Sequence, residues 1–108
     1  MKPGASLMAG IPELVVLRVL AAREMYGYEL ARTIRETTGD ALSLGEGVLY
    51  PALHAMESRG LLRTRRRTVA GRTRVYYAIT AQGRRHLEAL RHEWRRIAGG
   101  VESVLAGT

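Results

Sequence analysis

Tyr50 and His54 carry polar rings four residues apart, on one face of what the sequence predicts to be a short helix. A phenol and an imidazole at that spacing lie side by side, and both can hydrogen-bond to phosphate oxygens or base edges. The opposite face of this stretch is apolar and consists of Leu49, Leu53 and Met56. The plainer alternative is that both rings are ordinary solvated side chains.

A block of arginines follows this predicted helix. Between residues 59 and 85 there are nine arginines and no acidic residue, whereas the amino-terminal part mixes both signs. The whole chain carries a formal net charge of +7. A block of one sign beside an exposed helix indicates a polyanionic partner rather than a merely solvated surface. The expected phosphate contacts are Arg65, Arg66, Arg67, Arg72 and Arg74, although alternation along a strand prevents all five from facing one side.

The sequence does not favour metal or catalytic chemistry. His54 and Glu57 are three residues apart, and His86 or His92 lies near Glu88, but a metal site needs three or four ligands. There is no Ser-His-acid arrangement and no glycine loop that would cradle a phosphate. We therefore expect a binding protein without a metal, a cofactor or an enzymatic activity.

The length of 108 residues predicts one small domain, with a flexible arm over residues 1 to about 8. The apolar run from Leu14 to Ala22 is interrupted only by Arg18 and is far too short to span a membrane. It predicts a helix that is covered on several sides, and a second subunit is a candidate for part of that cover. The chain lacks cysteine, which is compatible with the reducing cytoplasm in which we expect the protein.

A second helix is predicted from about Gly27 to Thr37. Its core-facing residues are expected to be Tyr28, Ala31 and Ile34, with Leu30 as a further candidate.

Two starting points are open for the next helix, which carries the polar rings. Ser43 and Glu46 fit a capping box, which would start this helix at Leu44. Pro51 and the glycines before it instead favour a regular helix only from about Gly47. We favour the early start, with an irregular first turn.

The segment after this helix predicts a β-hairpin. Residues 73–79 alternate in character and are rich in β-branched and aromatic side chains, as in a strand. Ala70 and Gly71 form a plausible tip because glycine tolerates a positive φ. Two short helices joined by a compact turn and followed by such a hairpin are the elements of a winged helix-turn-helix, in which the arginine-rich hairpin is the wing. Thr80 is then the cap of a final helix.

The final helix carries apolar residues at alternating spacings of three and four, which is a heptad seam. The seam consists of Leu87, Leu90, Trp94, Ile97, Val101 and Val104. So narrow a stripe on an otherwise polar helix fits association with another helix better than burial in a monomer's core. We therefore expect a homodimer. The expected fold is mainly α with a small β-hairpin: a winged helix-turn-helix over residues 1–80 and, in the same domain, a carboxy-terminal dimerisation helix over residues 81–108.

Several runs of residues together resemble the PadR family of bacterial transcriptional regulators, and in particular its short members. The runs are Tyr26-Gly27-Tyr28-Glu29-Leu30, Gly45-Glu46-Gly47-Val48-Leu49-Tyr50-Pro51-Ala52-Leu53, Glu57-Ser58-Arg59-Gly60-Leu61-Leu62, and Gly71-Arg72 before Tyr76-Tyr77-Ala78-Ile79-Thr80-Ala81-Gln82-Gly83. The resemblance implies a dimeric winged helix-turn-helix protein, tied by its carboxy-terminal helix against its first helix and acting as a repressor that a small molecule releases. Tyr26 departs from the pattern, because family members often have His at this place, and the wing is unusually basic.

In this context, the candidate DNA-binding residues come from the second helix, the next helix and the wing. They are Tyr28, Ser43, Glu46, Tyr50, His54, Arg65, Arg66, Arg67, Arg72 and Arg74. The expected partner is an inverted-repeat operator in double-stranded DNA. Two other classes of function remain open: an architectural DNA- or RNA-binding protein without an effector, and a protein-interaction module that uses the heptad seam.

Trp94 is the only tryptophan and lies on the heptad seam. In a twofold dimer the same residue arrives from both subunits, so two indoles would flank a cavity between them. Flat indole faces suit planar aromatic or cationic ligands, and the resemblance extends through this helix. Trp94 is thus the candidate effector-binding residue. The alternative is a bulky side chain that only packs.

Overall fold

The computed structural model describes residues 10–107, so the expected arm over residues 1 to about 8 lies outside the described residues. The elements in this part of the chain are α1 (Ile11–Leu20), β1 (Met25–Tyr26), α2 (Gly27–Thr37), α3 (Glu46–Ser58), β2 (Leu62–Val69), β3 (Arg72–Ile79) and α4 (Ala81–Ala106). The predicted fold class is confirmed. It is mainly α, and a small antiparallel sheet follows the helix-turn-helix.

The core is apolar and lies between the first three helices, the sheet and the start of α4. Its completely buried side chains are Val16, Leu17, Leu30, Ile34 and Leu53. In α1, one face is buried in this core, but Leu14 and Val15 on its other side are only half-buried. The described chain therefore leaves part of the apolar surface of α1 uncovered.

The second helix has the predicted bounds, but its core face differs from the prediction. Tyr28 is 63% exposed, so the expectation that it is buried is wrong. The buried residues are Gly27, Leu30 and Ile34, which follow the spacing of one helical face. Because the helix begins at Gly27, Tyr28 falls on the solvent side of its first turn. Ala31 is half-buried.

The third helix begins at Glu46, so the predicted early start at Leu44 is wrong. Ser43 and Glu46 form no capping box: the N-cap is Gly45, and no side chain caps it. The carbonyl of Gly45 accepts the first helical hydrogen bond, from the N–H of Leu49 at 2.8 Å. The physical reason for the late start is that Leu44 is buried in the core, and the chain reaches it in a non-helical segment.

A Schellman motif ends α3. Gly60 has a φ of +78°, which suits glycine. The N–H of Leu61 donates to the carbonyl of Met56 at 2.9 Å, and that of Gly60 donates to Glu57 at 3.0 Å. Leu61 and Leu62 are then buried, so this turn directs the chain back into the core before β2 begins.

The sheet has the strand order β1-β3-β2 and is antiparallel. The short strand β1 pairs Met25 with Tyr77 and Tyr26 with Tyr76, and it adds a third strand to the two that the sequence predicts. The predicted tip of the wing is confirmed. Both of its residues, Ala70 and Gly71, have positive φ, as a two-residue hairpin of type I′ requires.

The final helix begins as predicted, because the Thr80 hydroxyl accepts a hydrogen bond from the N–H of Gly83 at 3.0 Å. Leu87 is only 3% exposed and belongs to the core of the single chain, and Leu90 is half-buried against that core. The assignment of Leu87 to dimerisation rather than to the monomer's core is therefore wrong. The physical reason is that the start of α4 packs against the body of the domain, and only the later turns leave the seam open.

Among residues 10–107, no helix combines the length and the apolar character that crossing a membrane requires.

Candidate nucleic-acid interface

The exposed face of α3, the start of α2 and the strand β3 surround an open cleft of about 300 Å³. Its lining residues are Tyr26, Gly27, Tyr50, His54, Arg74, Val75 and Tyr77. The cleft brings together three of the predicted site residues, Tyr50, His54 and Arg74, from two separate elements. A phenol, an imidazole and a guanidinium are all able to donate hydrogen bonds to phosphate oxygens.

Gly27 makes room for the ring of Tyr50 in this cleft. A methyl group on Gly27 would lie 2.7 Å from the Cζ atom of Tyr50 and would also overlap its hydroxyl oxygen. The ring is therefore fixed against the start of α2, and Tyr50 is half-buried rather than freely solvated. His54 lies one turn further along α3 and is exposed, with its ring centroid 6.3 Å from that of Tyr50.

The register of the hairpin divides the wing arginines between two faces, because opposing residues of an antiparallel pair share a face. Arg66 is opposite Val75, on the side that we call the inner face. This face packs on α3, since the Thr64 hydroxyl donates to the carboxylate of Glu57 at 2.9 Å. The other side is the outer face, and it carries Arg63, Arg65, Arg67, Arg72, Arg74 and Tyr76. The register thus supports the expectation that the five predicted arginines do not all face one side.

Two arginines of the outer face stack on aromatic rings. The guanidinium of Arg67 lies 4.7 Å from the ring centroid of Tyr76, and that of Arg74 lies 4.4 Å from the centroid of Tyr26. The two tyrosine rings meet edge to face at 5.5 Å. Such cation–π contacts hold long arginine side chains in defined positions. Tyr26 therefore positions Arg74 at the border of the cleft.

An acidic residue from outside the arginine block contacts the wing. The sequence did not predict this contact. Glu24 precedes β1, and its carboxylate accepts hydrogen bonds from Nε of Arg65 at 2.9 and 3.0 Å and from Nη2 of the same residue. It also lies 3.6 Å from the guanidinium of Arg67. The hydrogen bond from Arg65 lowers the pKa of Glu24 below its ordinary value. The two-residue strand that brings Glu24 here has no periodicity, so no local signal indicated the contact.

The other wing arginines lack such a partner. Within residues 10–107, no carboxylate lies within 4.0 Å of the guanidinium of Arg63, Arg66, Arg72 or Arg74. The remaining predicted residues, Tyr28, Ser43 and Glu46, are exposed at or before the first turns of α2 and α3. None of the three lines the cleft.

A network of polar contacts connects the end of α3 to α1 and α4. Arg59, the C-cap of α3, donates to the carboxylate of Glu13 at 3.1 Å, and the same carboxylate lies 2.5 Å from Nε2 of His86. Burial raises the pKa of Glu13, but the hydrogen bonds from Arg59 and His86 outweigh it, so the pKa is lowered. The Thr80 hydroxyl donates to the carbonyl of Gly60 at 2.7 Å. These contacts connect the end of α3 to the start of α4.

The later part of α4 lies beside an apolar groove. Two hollows meet at Trp94, of about 260 and 290 Å³, and α1 forms the opposite side of both. Their apolar lining residues are Ile11, Leu14, Val15, Leu42, Leu90, Trp94 and Ile97. Trp94 is 49% exposed, so one face of its indole remains accessible in the single chain.

In the part of the chain that the structure describes, His, Asp and Glu side chains form no group of three that could hold a metal ion.

Comparisons with known proteins give a consistent result. The sequence profile of the transcriptional regulator PadR-like family matches residues 16–89. Transcriptional regulator Rv3488 of Mycobacterium tuberculosis is 36% identical over 98 residues, which cover 87% of this chain and 88% of that protein. Transcriptional regulator YqjI of Escherichia coli is 30% identical over 94 residues, but these cover 87% of this chain and only 44% of YqjI.

The fold also matches solved structures. A crystal structure of a PadR family transcription regulator from Clostridium difficile R20291 is 32% identical and has a TM-score of 0.78. The match covers 90% of this chain and 100% of that chain.

Proposed function

This chain belongs to the PadR-like family of transcriptional regulators, and on that premise we propose that it is a homodimeric repressor released from an inverted-repeat operator by a small molecule. Regulators of this family bind DNA and are not enzymes. The repressor role, the dimer and the effector are the parts of the proposal that go beyond family membership. We place this activity in the cytoplasm.

The cleft between α3 and the wing is the observation that carries the proposal. A recognition helix enters the major groove with its exposed face, and a wing beside it reaches the flanking backbone. Tyr50 and His54 line the cleft from α3 and Arg74 lines it from the wing, where Arg66 lies opposite the cleft residue Val75. We assign base or backbone contacts to the two rings and phosphate contacts to the arginines. Further candidates are Tyr28, Ser43 and Glu46, because all three are exposed at or before the first turn of a helix of the helix-turn-helix.

An uncovered apolar stripe supports the proposed homodimer. Beyond the core, the heptad seam continues on α4 with Trp94, Ile97, Val101 and Val104, each of them between 48% and 72% exposed. The half-buried side of α1 lies next to this stripe across the groove. A stripe of this kind in a chain of 108 residues is typical of an interface rather than of a free surface. In a twofold dimer, α4 of each protomer would cover α1 and α4 of its partner.

Identifying the operator by footprinting tests the proposed function directly. A dimer with two recognition helices should protect two half-sites about 34–36 Å apart on one face of the duplex. We expect a footprint on an inverted repeat in the promoter beside the protein's own gene, and repression of that promoter in a reconstituted transcription reaction. Equal affinity for the inverted repeat and for random duplex would instead indicate an architectural nucleic-acid-binding protein. Activation of the promoter would contradict the repressor assignment.

Trp94 is the proposed effector-binding residue because its exposed indole borders the groove between α1 and α4. A planar aromatic cation should stack on it and quench its fluorescence. The ligand would change how the long helices of the two subunits cross, and the operator affinity should fall by about 5–150-fold, which is the usual range of allosteric coupling. Titration of planar aromatic cations that do not bind duplex DNA on their own, with both readouts, checks this.

The Trp94→Ala variant should stay dimeric and lose this release. Val104→Ala is the matched control, because it truncates an exposed seam residue that does not line the groove. If the ligand released DNA from Trp94→Ala as well as from the parent protein, Trp94 would be a packing residue only.

A further inference from the structure

The outer face of the wing contains one acid among its arginines. Glu24 with Arg65 and Arg67 forms a group that we call the Glu24 cluster. The inference below rests on the proposed function, because it concerns how this wing meets DNA.

The Glu24 cluster contains a bidentate ion pair. Arg65 presents both Nε and Nη2 to the carboxylate, which is the paired arrangement that arginine prefers. Arg67 approaches the same carboxylate to 3.6 Å while its guanidinium stacks on Tyr76. The carboxylate is only 25% exposed on its side chain, whereas Arg65 is 59% exposed. The acid is therefore sheltered, and the arginines around it are accessible.

The local sequence explains why the carboxylate reaches across the sheet. Glu24 and Arg65 lie 41 residues apart in the chain: Glu24 directly precedes β1, Arg65 lies on β2, and β3 is the strand between β1 and β2. Ala78 lies on β3 and lines the same surface hollow as Glu24 and Arg65. Its small side chain leaves space over the middle strand, so the carboxylate can contact β2.

A carboxylate and a phosphate compete for the same donors. Both offer a pair of anionic oxygens to the N–H groups of a guanidinium, and Arg65 cannot give the same pair to both at once. The carboxylate stays ionised at neutral pH, since the hydrogen bond from Arg65 lowers its pKa. A DNA phosphate that takes the Nε–Nη2 pair of Arg65 must therefore displace Glu24, and one that binds Arg67 must compete with the carboxylate 3.6 Å from its guanidinium.

Arg66 differs from Arg65 and Arg67 in its position. It lies on the inner face of the wing, opposite the cleft residue Val75. No carboxylate among the described residues lies within 4.0 Å of its guanidinium. Among the described residues, the arginines of the wing thus form two sets: some have no acidic partner within 4.0 Å, and two lie within 4.0 Å of the Glu24 carboxylate.

We propose that Glu24 is a specificity-determining residue of the wing, which withholds Arg65 and Arg67 from sequence-independent phosphate contacts. Contacts to phosphate raise the affinity for every duplex alike, whereas base contacts favour the operator. By keeping two arginines per subunit out of the phosphate contacts, Glu24 widens the ratio between operator and random affinity. A wing with six arginines then binds bulk DNA less strongly than its composition indicates.

The Glu24→Gln variant tests this inference. Glutamine keeps the size and one acceptor oxygen but removes the charge that holds the arginines. The affinity for random duplex should rise, and each arginine that then reaches a phosphate should add about 0.9 to the slope of log affinity against log salt. For two arginines per subunit, which is four in the proposed dimer, the loss of affinity between 50 and 200 mM salt should become about 10²-fold larger. The ratio of operator affinity to random-duplex affinity should fall.

Glu36→Gln is the matched control. It removes the same charge and an arginine partner, since Glu36 lies 3.8 Å from Arg32 on α2, away from the wing. It should leave the salt slope and the ratio of affinities unchanged. Thermal unfolding of both variants verifies that the fold is retained.

The possible outcomes separate the inference from the proposed function. If the parent protein bound duplex without salt dependence, the proposed function itself would be wrong. If the parent showed a steep slope and Glu24→Gln showed the same slope and the same ratio, the Glu24 cluster would not restrain the arginines. A weaker Glu24→Gln variant with a flatter slope would mean that Glu24 positions Arg65 for DNA, which also overturns the inference.

Discussion

Val101→Asp should convert the protein to a monomer and reduce its operator affinity by about 10²–10⁴-fold, the range in which tethering two binding modules usually contributes. Val101 is 52% exposed in the single chain, so this change should leave the protomer folded. In the proposed dimer the same position is covered, and burying an unpaired carboxylate there costs several kcal/mol. Sedimentation velocity and operator titration measure both effects.

Leu90 is a less suitable position for this test than the sequence pattern indicates. It is half-buried against the core of its own chain, so an aspartate there would also damage the protomer. Ser103→Asp is the matched control for Val101→Asp. It introduces the same charge two residues away on α4, about 200° around the helix and off the seam. A Val101→Asp protein that sediments as a dimer would contradict the assignment of the exposed seam to dimerisation.

The parts of the fold with strong local signals could be predicted from the sequence. The bounds of α2, the two-residue tip of the wing and the Thr80 cap of α4 each depend on neighbouring residues only. The stripe of Leu49, Leu53 and Met56 is likewise buried as helical periodicity predicts. Such features follow from the backbone preferences and side-chain spacing of one short segment.

The features that the sequence did not reveal depend on distant contacts. Glu24 neutralises part of the wing because β1 pairs with β3, and a strand of two residues carries no pattern. The start of α3 is set by the burial of Leu44, which overrides a plausible capping signal. Leu87 satisfies the heptad spacing, but it packs within its own chain because the start of α4 lies on the domain. Periodicity identifies an apolar face, and it does not identify which surface covers that face.

The same long-range contacts offer a route by which a change in the proposed dimer would reach DNA. Gly83, in the first turn of α4, lies so close to Leu61 that a methyl group there would overlap the Leu61 carbonyl oxygen and come within 2.8 Å of Ile79. Together with the bonds from Arg59 and Thr80, this contact fixes the start of α4 to the end of α3. A tilt of α4 at the groove should therefore move the recognition helix with it.

Salt should weaken duplex binding by about 10³–10⁵-fold between 50 and 200 mM if the dimer makes 6–10 phosphate contacts. The physical reason is that each arginine displaces condensed counterions from the DNA, and added salt opposes that release. Replacing Arg65, Arg66 and Arg67 together by alanine should flatten the dependence. Of the three, we assign the largest share to Arg66, which lies opposite the cleft residue Val75 and has no acidic partner among residues 10–107.

Single variants distinguish the contribution of the wing to DNA binding from that of the recognition helix. Arg66→Ala should reduce the salt slope by about 0.9 per subunit and weaken operator and random duplex alike, because phosphate contacts carry no sequence information.

His54→Ala should instead change the preference among operator variants and leave the slope close to that of the parent. Tyr50→Phe is the companion variant, since it keeps the ring packed against Gly27 and removes only the hydroxyl. Fluorescence anisotropy with operator and random duplexes at several salt concentrations measures the affinities and the salt slope of each variant. An unchanged slope in the triple arginine variant would show that Arg65, Arg66 and Arg67 do not contact the phosphates.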